Sequence, residues 1–357
     1  MTPRERILTA LRRREPDRLP FSFAMTGPVR QEFRRRTGAR DHFEHYDLEH
    51  RPVSPRPSPH PADFSGYYRG RVFSGPVRFD PDWGYAMVDQ AGHDHLRHWE
   101  SPFDGREFTV RDALDYPIPD LDAPARYEGV AEANAAWHAK GYATLYVSGF
   151  STYDLSWLIR GYEPFLLDMA ARTEASQTLM DRVCDAVAAQ LRQMAGRGTD
   201  IVGFGEDVGS QTALMMSPAL WREQIKPRFA RIVRAAKTAR PDVLFFYHSD
   251  GQIESIIPDL IEVGVDILNP VQPECMDPAA IKSRYGDRLA FWGAVGTQTT
   301  MPYGTPAEVR ACVRRLFETV GRGGGFVCAP SHVLEPEVPW ENVEAFVAAC
   351  RECLYAR

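Results

Sequence analysis

Apolar and polar residues alternate in blocks along most of the chain. Short apolar runs typical of buried strands occur at 143–147, 200–204, 243–247, 265–269, 289–292 and 325–328. Stretches with helical periodicity separate them, most clearly at 173–197, 218–239, 253–263, 306–320 and 340–355. Strands that alternate with helices predict a parallel sheet with helices packed against it.

The start of the chain adds one more strand. Thr2 and Pro3 are typical of a helix N-terminus, and an apolar run at 19–23 follows that short helix. Residues 27–50 look helical, whereas the proline-rich run 51–61 is expected to be irregular. Seven strands are thus visible, and we expect an eighth within residues 51–122. The sequence predicts a single α/β domain over 1–357, a (β/α)₈ TIM barrel whose insertion at 51–122, after the first strand, acts as a lid.

An open, doubly wound sheet is the competing architecture. Such a sheet usually carries a G-x-G-x-x-G phosphate-binding motif after its first strand, and this chain has none there. Gly203 and Gly205 resemble part of that motif, but they lie in mid-chain and lack the third glycine. The glycines at 321 and 323–325 precede a strand instead of following one. The closed barrel is therefore the better interpretation.

Charge and composition narrow the class of protein. A net charge of −6 and a pI near 6.0 give no attraction for nucleic acid. No apolar run approaches the ~20 residues of a membrane helix, so no membrane is expected and a cytoplasmic location is predicted. Six cysteines in 357 residues do not form a disulfide framework.

Candidate chemistry lies just beyond the predicted strands, at the rim where barrel enzymes place their active sites. Polar side chains recur there at Glu206, Asp207, His248, Asp250, Glu274, Cys275, Gln298, His332, Glu335 and Glu337. A catalytic zinc takes three nitrogen, sulfur or oxygen ligands and keeps one position open. His248, Cys275 and His332 meet that requirement and are predicted to bind the metal.

The remaining polar residues leave alternatives open. Asp250 is a candidate fourth ligand, an acceptor that orients an imidazole, or an acid–base group. Cys328 is a weaker candidate ligand, because it lies inside a strand and is expected to face the barrel core. The histidines at 42, 45 and 50 are interpreted as helix surface, and His93, Asp94 and His95 as a solvated turn. Asp207 and Glu274 also offer paired carboxylates for acid–base work without a metal.

The chain resembles the uroporphyrinogen decarboxylase superfamily, which includes zinc-dependent corrinoid methyltransferases. The likeness covers the start and nearly the whole second half of the chain. It rests on residues 2–6, 16–20, 205–211, 248–251, 269–272, 291–293, 329–332 and 339–342.

Two departures from that family pattern matter. Met25 to Glu32 replaces the arginine-rich stretch that holds the carboxylates of a porphyrin substrate. The methyltransferases carry a His-x-Cys pair and a distant cysteine as zinc ligands, where this chain has His248 with Asp250 and then His332. Cys275 lies between them, so two alternatives stay open: a metal site rebuilt with different ligands, or no metal.

The resemblance implies a zinc-dependent methyltransferase that moves a methyl group between a corrinoid protein and a small methoxy or thiol compound. In this interpretation Asp250, Glu274 and Asp207 are catalytic, and Gln298 and Glu335 bind substrate. The corrinoid resides on a separate partner protein, and a homodimer is the candidate assembly. The alternative is a decarboxylase or lyase that acts on a small carboxylate other than uroporphyrinogen.

Overall fold

The computed structural model describes residues 1–89 and 97–355. The strands are β1 His50–Pro52, β2 Val77–Phe79, β3 Ala86–Asp89, β4 Arg97–Glu100, β5 Ala143–Ser148, β6 Ile201–Gly205, β7 Leu244–His248, β8 Ile267–Asn269, β9 Ala290–Val295 and β10 Phe326–Pro330. The helices are α1 Pro3–Leu11, α2 Gly27–Thr37, α3 His42–His45, α4 Val110–Asp115, α5 Val130–Ala139, α6 Thr152–Arg160, α7 Tyr162–Ala171, α8 Glu174–Gly196, α9 Pro218–Gln224, α10 Lys226–Ala239, α11 Ile257–Val263, α12 Pro278–Tyr285, α13 Thr300–Tyr303, α14 Pro306–Leu316 and α15 Trp340–Glu352.

Seven of these strands form one parallel sheet in the order β1-β5-β6-β7-β8-β9-β10. Residues 19–25 lie beside β10, since Ser22 N donates to Cys328 O and Cys328 N donates to Pro20 O, both at 2.9 Å. Phe21 N donates to the carboxylate of Glu49, the residue before β1. The segment therefore fills the gap between the two edge strands and closes an α/β barrel with eight strand positions. The predicted fold class is confirmed.

The eighth strand is β1, at the edge of the expected insertion. The prediction of irregular structure is wrong for Arg51 and Pro52, which pair with Thr144 and Leu145. A strand of three residues that runs into prolines has no periodicity to reveal it. The long insertion consequently starts after this second barrel strand.

One predicted helix is divided in two. The helical pattern at 218–239 forms α9 and α10, which meet at Ile225. Pro227 lacks an N–H and restricts Lys226 before it, so a new helix begins at that point.

Alternate residues of the barrel strands face the barrel axis. A separate inner core contains Ile7, Leu8, Leu11, Ala143, Ile201, Leu244, Phe246, Ile267, Ala290, Trp292, Val327 and Ala329. The first three belong to α1, which therefore closes the amino end of the barrel. The intervening residues pack outward on the helices, as Phe204 does on Phe229 of α10 at 4.8 Å between ring centroids. The open end of the barrel is the carboxyl end of the strands.

The insertion carries the antiparallel sheet β2-β3-β4 and packs beside this open end. Tyr85 and Trp99 contact Phe150, just after β5, and Ser101 Oγ donates to Trp157 O in α6. His93, Asp94 and His95 lie outside the described residues. Within the described ranges, no helix combines the length and apolarity needed to cross a membrane.

Candidate metal centre

Two loops at the open end are locked together through glycines. A Cβ on Gly209, after β6, would lie 2.5 Å from Asp250 O, and a Cβ on Gly251, after β7, would lie 2.5 Å from Ser210 O. Gly251 also has φ +83°, a conformation that side chains disfavour. Gln252 N donates to Ser210 O across the same contact. These glycines fix where Asp207 and Asp250 lie relative to His248.

The imidazole of His248 has a defined tautomer. Its Nδ1 lies 2.5 Å from Asn269 Oδ1, and Asn269 Nδ2 donates to the carbonyl of Trp292. Because a carbonyl can only accept, the Asn269 oxygen must point at His248, and Nδ1 must carry the proton. Nε2 of neutral His248 therefore presents a lone pair, which is the arrangement that an outer hydrogen bond gives to a metal-binding histidine.

Asp250 lies between two histidines. Its Oδ1 is 4.0 Å from His248 Nε2, and its Oδ2 is 3.9 Å from His332 Nε2. One candidate ligand atom from each of the three residues lies within 4.8 Å of the other two. Asp250 Oδ1 is buried without a hydrogen-bond partner in the described part of the chain. This set of two nitrogens and one oxygen suits a divalent transition metal.

Asp207 adds a second carboxylate to the group. Its Oδ1 accepts the backbone N–H of Asp250 at 2.9 Å and lies 3.7 Å from His248 Nε2. Burial lowers the pKa of His248, but the Asp250 and Asp207 carboxylates and the Asn269 hydrogen bond outweigh it, so the pKa is raised overall. Burial, with repulsion from Asp207 and Glu274, raises the pKa of Asp250 to about 6. The cluster is thus a concentration of negative charge that a cation would relieve.

The other predicted site residues lie around this cluster. Glu274 Oε1 accepts from Thr299 Oγ1 at 2.9 Å and from the backbone N–H of Gln298 at 3.3 Å. Gln298 and Glu335 line a polar cavity of about 230 Å³ together with Asp250 and His332. Their predicted substrate-binding roles stay predictions.

The two candidate thiols are placed differently from the histidines. Cys275 Sγ contacts Gln211 Oε1 at 3.3 Å and is not part of the three-residue group. Burial, Glu274 and Asp250 raise its pKa, which disfavours the thiolate that a metal needs. Its role as a ligand stays a prediction. Cys328 packs in the outer core between strands and helices, not with the inner core that its neighbours Val327 and Ala329 join, so the expectation that it faces the barrel core is wrong.

Sequence reasoning missed two residues of this end of the barrel. Asn269 lies in the family-like stretch 269–272, yet only the structure reveals its hydrogen bond to His248. His50 was interpreted as helix surface, which is wrong, because it begins β1 and is 3% exposed. Its position could not be inferred while β1 itself was hidden.

Fold and site together define an α/β barrel with a candidate cation centre at the carboxyl ends of its strands. The sequence profile of uroporphyrinogen decarboxylase (URO-D) matches residues 108–353. The chain therefore belongs to the uroporphyrinogen decarboxylase family, and is an enzyme of that superfamily.

Individual relatives are distant. A methylcobamide:CoM methyltransferase (MtaA) of Methanosarcina barkeri is 26% identical over 185 residues, 52% of this chain and 51% of the relative. A uroporphyrinogen decarboxylase of Psychromonas ingrahamii is 27% identical over 179 residues, 49% of this chain and 48% of the relative. The chain thus spans about half the length of these curated relatives. A methyltransferase structure from Methanosarcina mazei aligns with a TM-score of 0.66 at 18% identity and covers 99% of both chains, which supports the fold.

Proposed function

We propose that the chain is a zinc-dependent methyltransferase that moves a methyl group between a corrinoid carried by a separate protein and a small methoxy or thiol compound. The observation that carries the proposal is the convergence of His248, Asp250 and His332 at the open end of the barrel. The similarity to a methylcobamide:CoM methyltransferase supports the same reaction class.

The three residues fit a zinc ion. The His248 tautomer leaves Nε2 as an acceptor, and the buried Oδ1 of Asp250 has no donor among the described residues. Two nitrogens and a carboxylate oxygen form a recurrent catalytic zinc ligand set. When bound, zinc supplies Lewis acidity, which increases the thiolate fraction of a coordinated thiol or polarises a methoxy oxygen.

The surrounding residues have their own tasks. Asn269 holds the His248 ring in one orientation through the Nδ1 hydrogen bond. Asp207 fixes the Asp250 backbone, and its carboxylate can accept a proton released near His248 Nε2. Glu274 ties the loop after β8 to the loop after β9 through Thr299 and Gln298, so it orders the edge of the polar cavity.

A decarboxylase or lyase is the second candidate, since the chain also resembles uroporphyrinogen decarboxylases. Apart from the metal itself, a carboxylate substrate is held best by Arg or Lys. The described residues that line the polar cavity and the apolar cavity beside it include no Arg or Lys. That lining favours the methyltransferase. A cytoplasmic location and a homodimer stay predictions.

The test uses protein purified without a histidine tag and loaded with zinc. Methylcob(III)alamin serves as the methyl donor and 2-mercaptoethanol as the acceptor, so that each transfer yields cob(I)alamin and a thioether. The absorbance of cob(I)alamin reports the rate under anaerobic conditions. We expect turnover that falls at least 100-fold in Asp250→Ala, whereas the matched Asp259→Ala variant, whose aspartate pairs with Lys226 and Arg222 away from the site, stays near wild type.

The contrary results are distinct. Equal rates for the metal-free and zinc-loaded protein would exclude a zinc-dependent reaction. Release of carbon dioxide from a small carboxylate, with no corrinoid present, would establish the decarboxylase instead.

A further inference from the structure

A second, largely apolar cavity of about 500 Å³ opens beside the candidate metal centre. Its apolar wall includes Phe43, Leu145 and Trp292. His248 and His332 also line it, so a molecule inside would lie next to the candidate metal ligands. The volume is in the range of small-molecule sites, most of which are apolar with a few polar groups.

His50 is a polar residue in this largely apolar wall. It is 3% exposed, and its Nδ1 is buried with no hydrogen-bond partner in the described ranges. Its ring contacts are aromatic: Phe43 at 5.3 Å and Trp292 at 5.2 Å between centroids, both edge-to-face. The polar ring therefore lies in an otherwise aromatic part of the wall.

The imidazole of His50 is neutral. Burial, with the positive charge of Arg51 and the neighbouring His42, lowers its pKa to about 3. Because Nδ1 is the enclosed nitrogen, Nε2 is the one available to a molecule in the cavity. His50 can therefore exchange a neutral hydrogen bond with a ligand but offers no charge to an anion.

We propose that this cavity binds a neutral aromatic compound with a hydroxyl group, and that His50 is the residue that selects for the hydroxyl. The aromatic side chains of Phe43 and Trp292 in the cavity wall favour an aromatic ligand. The lining includes no Arg or Lys among the described residues, and the carboxylates of Asp207 and Asp250 lie near His248, so an anion is disfavoured. The largely apolar wall also disfavours burial of a cation. The identity of this compound as the methyl substrate rests on the proposed function; its binding does not.

The experiment is calorimetric titration of the metal-free protein, with no corrinoid present, so failure of methyl transfer and failure of this inference are distinguishable. The probes are 2-methoxyphenol, 2-methylanisole, in which a methyl group replaces the hydroxyl, and 2-methoxybenzoate. Wild-type protein should bind 2-methoxyphenol about ten-fold more tightly than 2-methylanisole. The benzoate should bind more weakly than both.

Variants locate the hydrogen bond. His50→Phe keeps an aromatic ring and should remove the preference for the hydroxyl, while the affinity for 2-methylanisole stays within two- to three-fold. His60→Phe, at an exposed histidine of the insertion, should leave all affinities unchanged. Leu145→Trp, which fills the cavity, should abolish binding of both neutral probes.

Three results would overturn the inference. They are equal wild-type affinity for the two neutral probes, no binding of either, or tighter binding of the benzoate. These comparisons use wild-type protein alone and so remain decisive even if a variant does not fold. A folded His50→Phe variant that keeps the full hydroxyl preference would also contradict the role of His50.

Discussion

Buried and half-buried carboxylates lie at both ends of the barrel but have different partners. At the amino end, Asp200 accepts two hydrogen bonds from Arg4, at 3.0 and 2.7 Å, and also lies 2.8 Å from His138. At the carboxyl end, Asp250 lies near two histidines and makes no ion pair with Arg or Lys in the described chain. The Asp200 carboxylate is thus compensated by basic residues of the fold, whereas Asp250 has only the two histidines as basic neighbours in the described chain.

The two ends of the barrel therefore have different structural roles. Arg4 belongs to α1, and its bond to Asp200, just before β6, fixes the helix that closes the barrel. Asp207 and Asp250, in contrast, are held close together by backbone contacts that leave both carboxylates facing His248. The amino end contributes stability, whereas the carboxyl end holds mutually repulsive carboxylates close together, as the proposed cation centre requires.

The largest effect on stability is expected at the amino end. Asp200→Ala leaves Arg4 and His138 without their shared, 2%-exposed partner and should lower the free energy of unfolding by about 3 kcal/mol. Zinc affinity of the folded protein should not change. Urea denaturation and zinc titration measure the two quantities, with Asp122→Ala, which removes the exposed pair with Arg192, as a control of small effect. A loss of zinc affinity in Asp200→Ala would contradict the separate roles assigned to the amino and carboxyl ends of the barrel.

A smaller effect of opposite sign is expected at the carboxyl end. Asp250→Asn removes a negative charge that is repelled by Asp207 and Glu274. The metal-free protein should therefore become more stable at pH 7.5 by about 1 kcal/mol. This value is reduced to allow for the partial exposure of the Asp250 side chain. The folded-state pKa of Asp250 is raised to about 6, so the native protein binds more protons than the unfolded chain between the ordinary pKa and about 6. The cost of the charge is therefore full above pH 6 and absent below pH 4.

Thermal denaturation of both proteins across that pH range measures the difference. Wild type and Asp250→Asn should converge at pH 4 and separate as the pH rises. A less stable Asp250→Asn at pH 7.5 would mean that the carboxylate is structurally compensated, like Asp200.

The sequence predicted the barrel because helices and strands of ordinary length carry their own periodicity. It missed β1, since three residues before a proline-rich run have none, and with β1 it missed the burial of His50. The expectation that active-site residues follow the barrel strands identified His248, Asp250 and His332 as candidates, and the structure brings their candidate ligand atoms together. Cys275 satisfies the same expectation, yet it lies in the loop after β8 beside Gln211. Side-chain direction within a loop has no sequence signature, so the sequence alone could not show that Asp250 lies between the two histidines while Cys275 contacts Gln211.

The most direct test of the cation centre is zinc content and affinity in three proteins: wild type, Asp250→Ala and Cys275→Ala. Each is purified without a histidine tag and titrated with zinc against a competing chelator. We predict one zinc per chain in wild type and in Cys275→Ala, and a loss of at least 100-fold in affinity in Asp250→Ala. Zinc that survives in Asp250→Ala but disappears in Cys275→Ala would contradict the account.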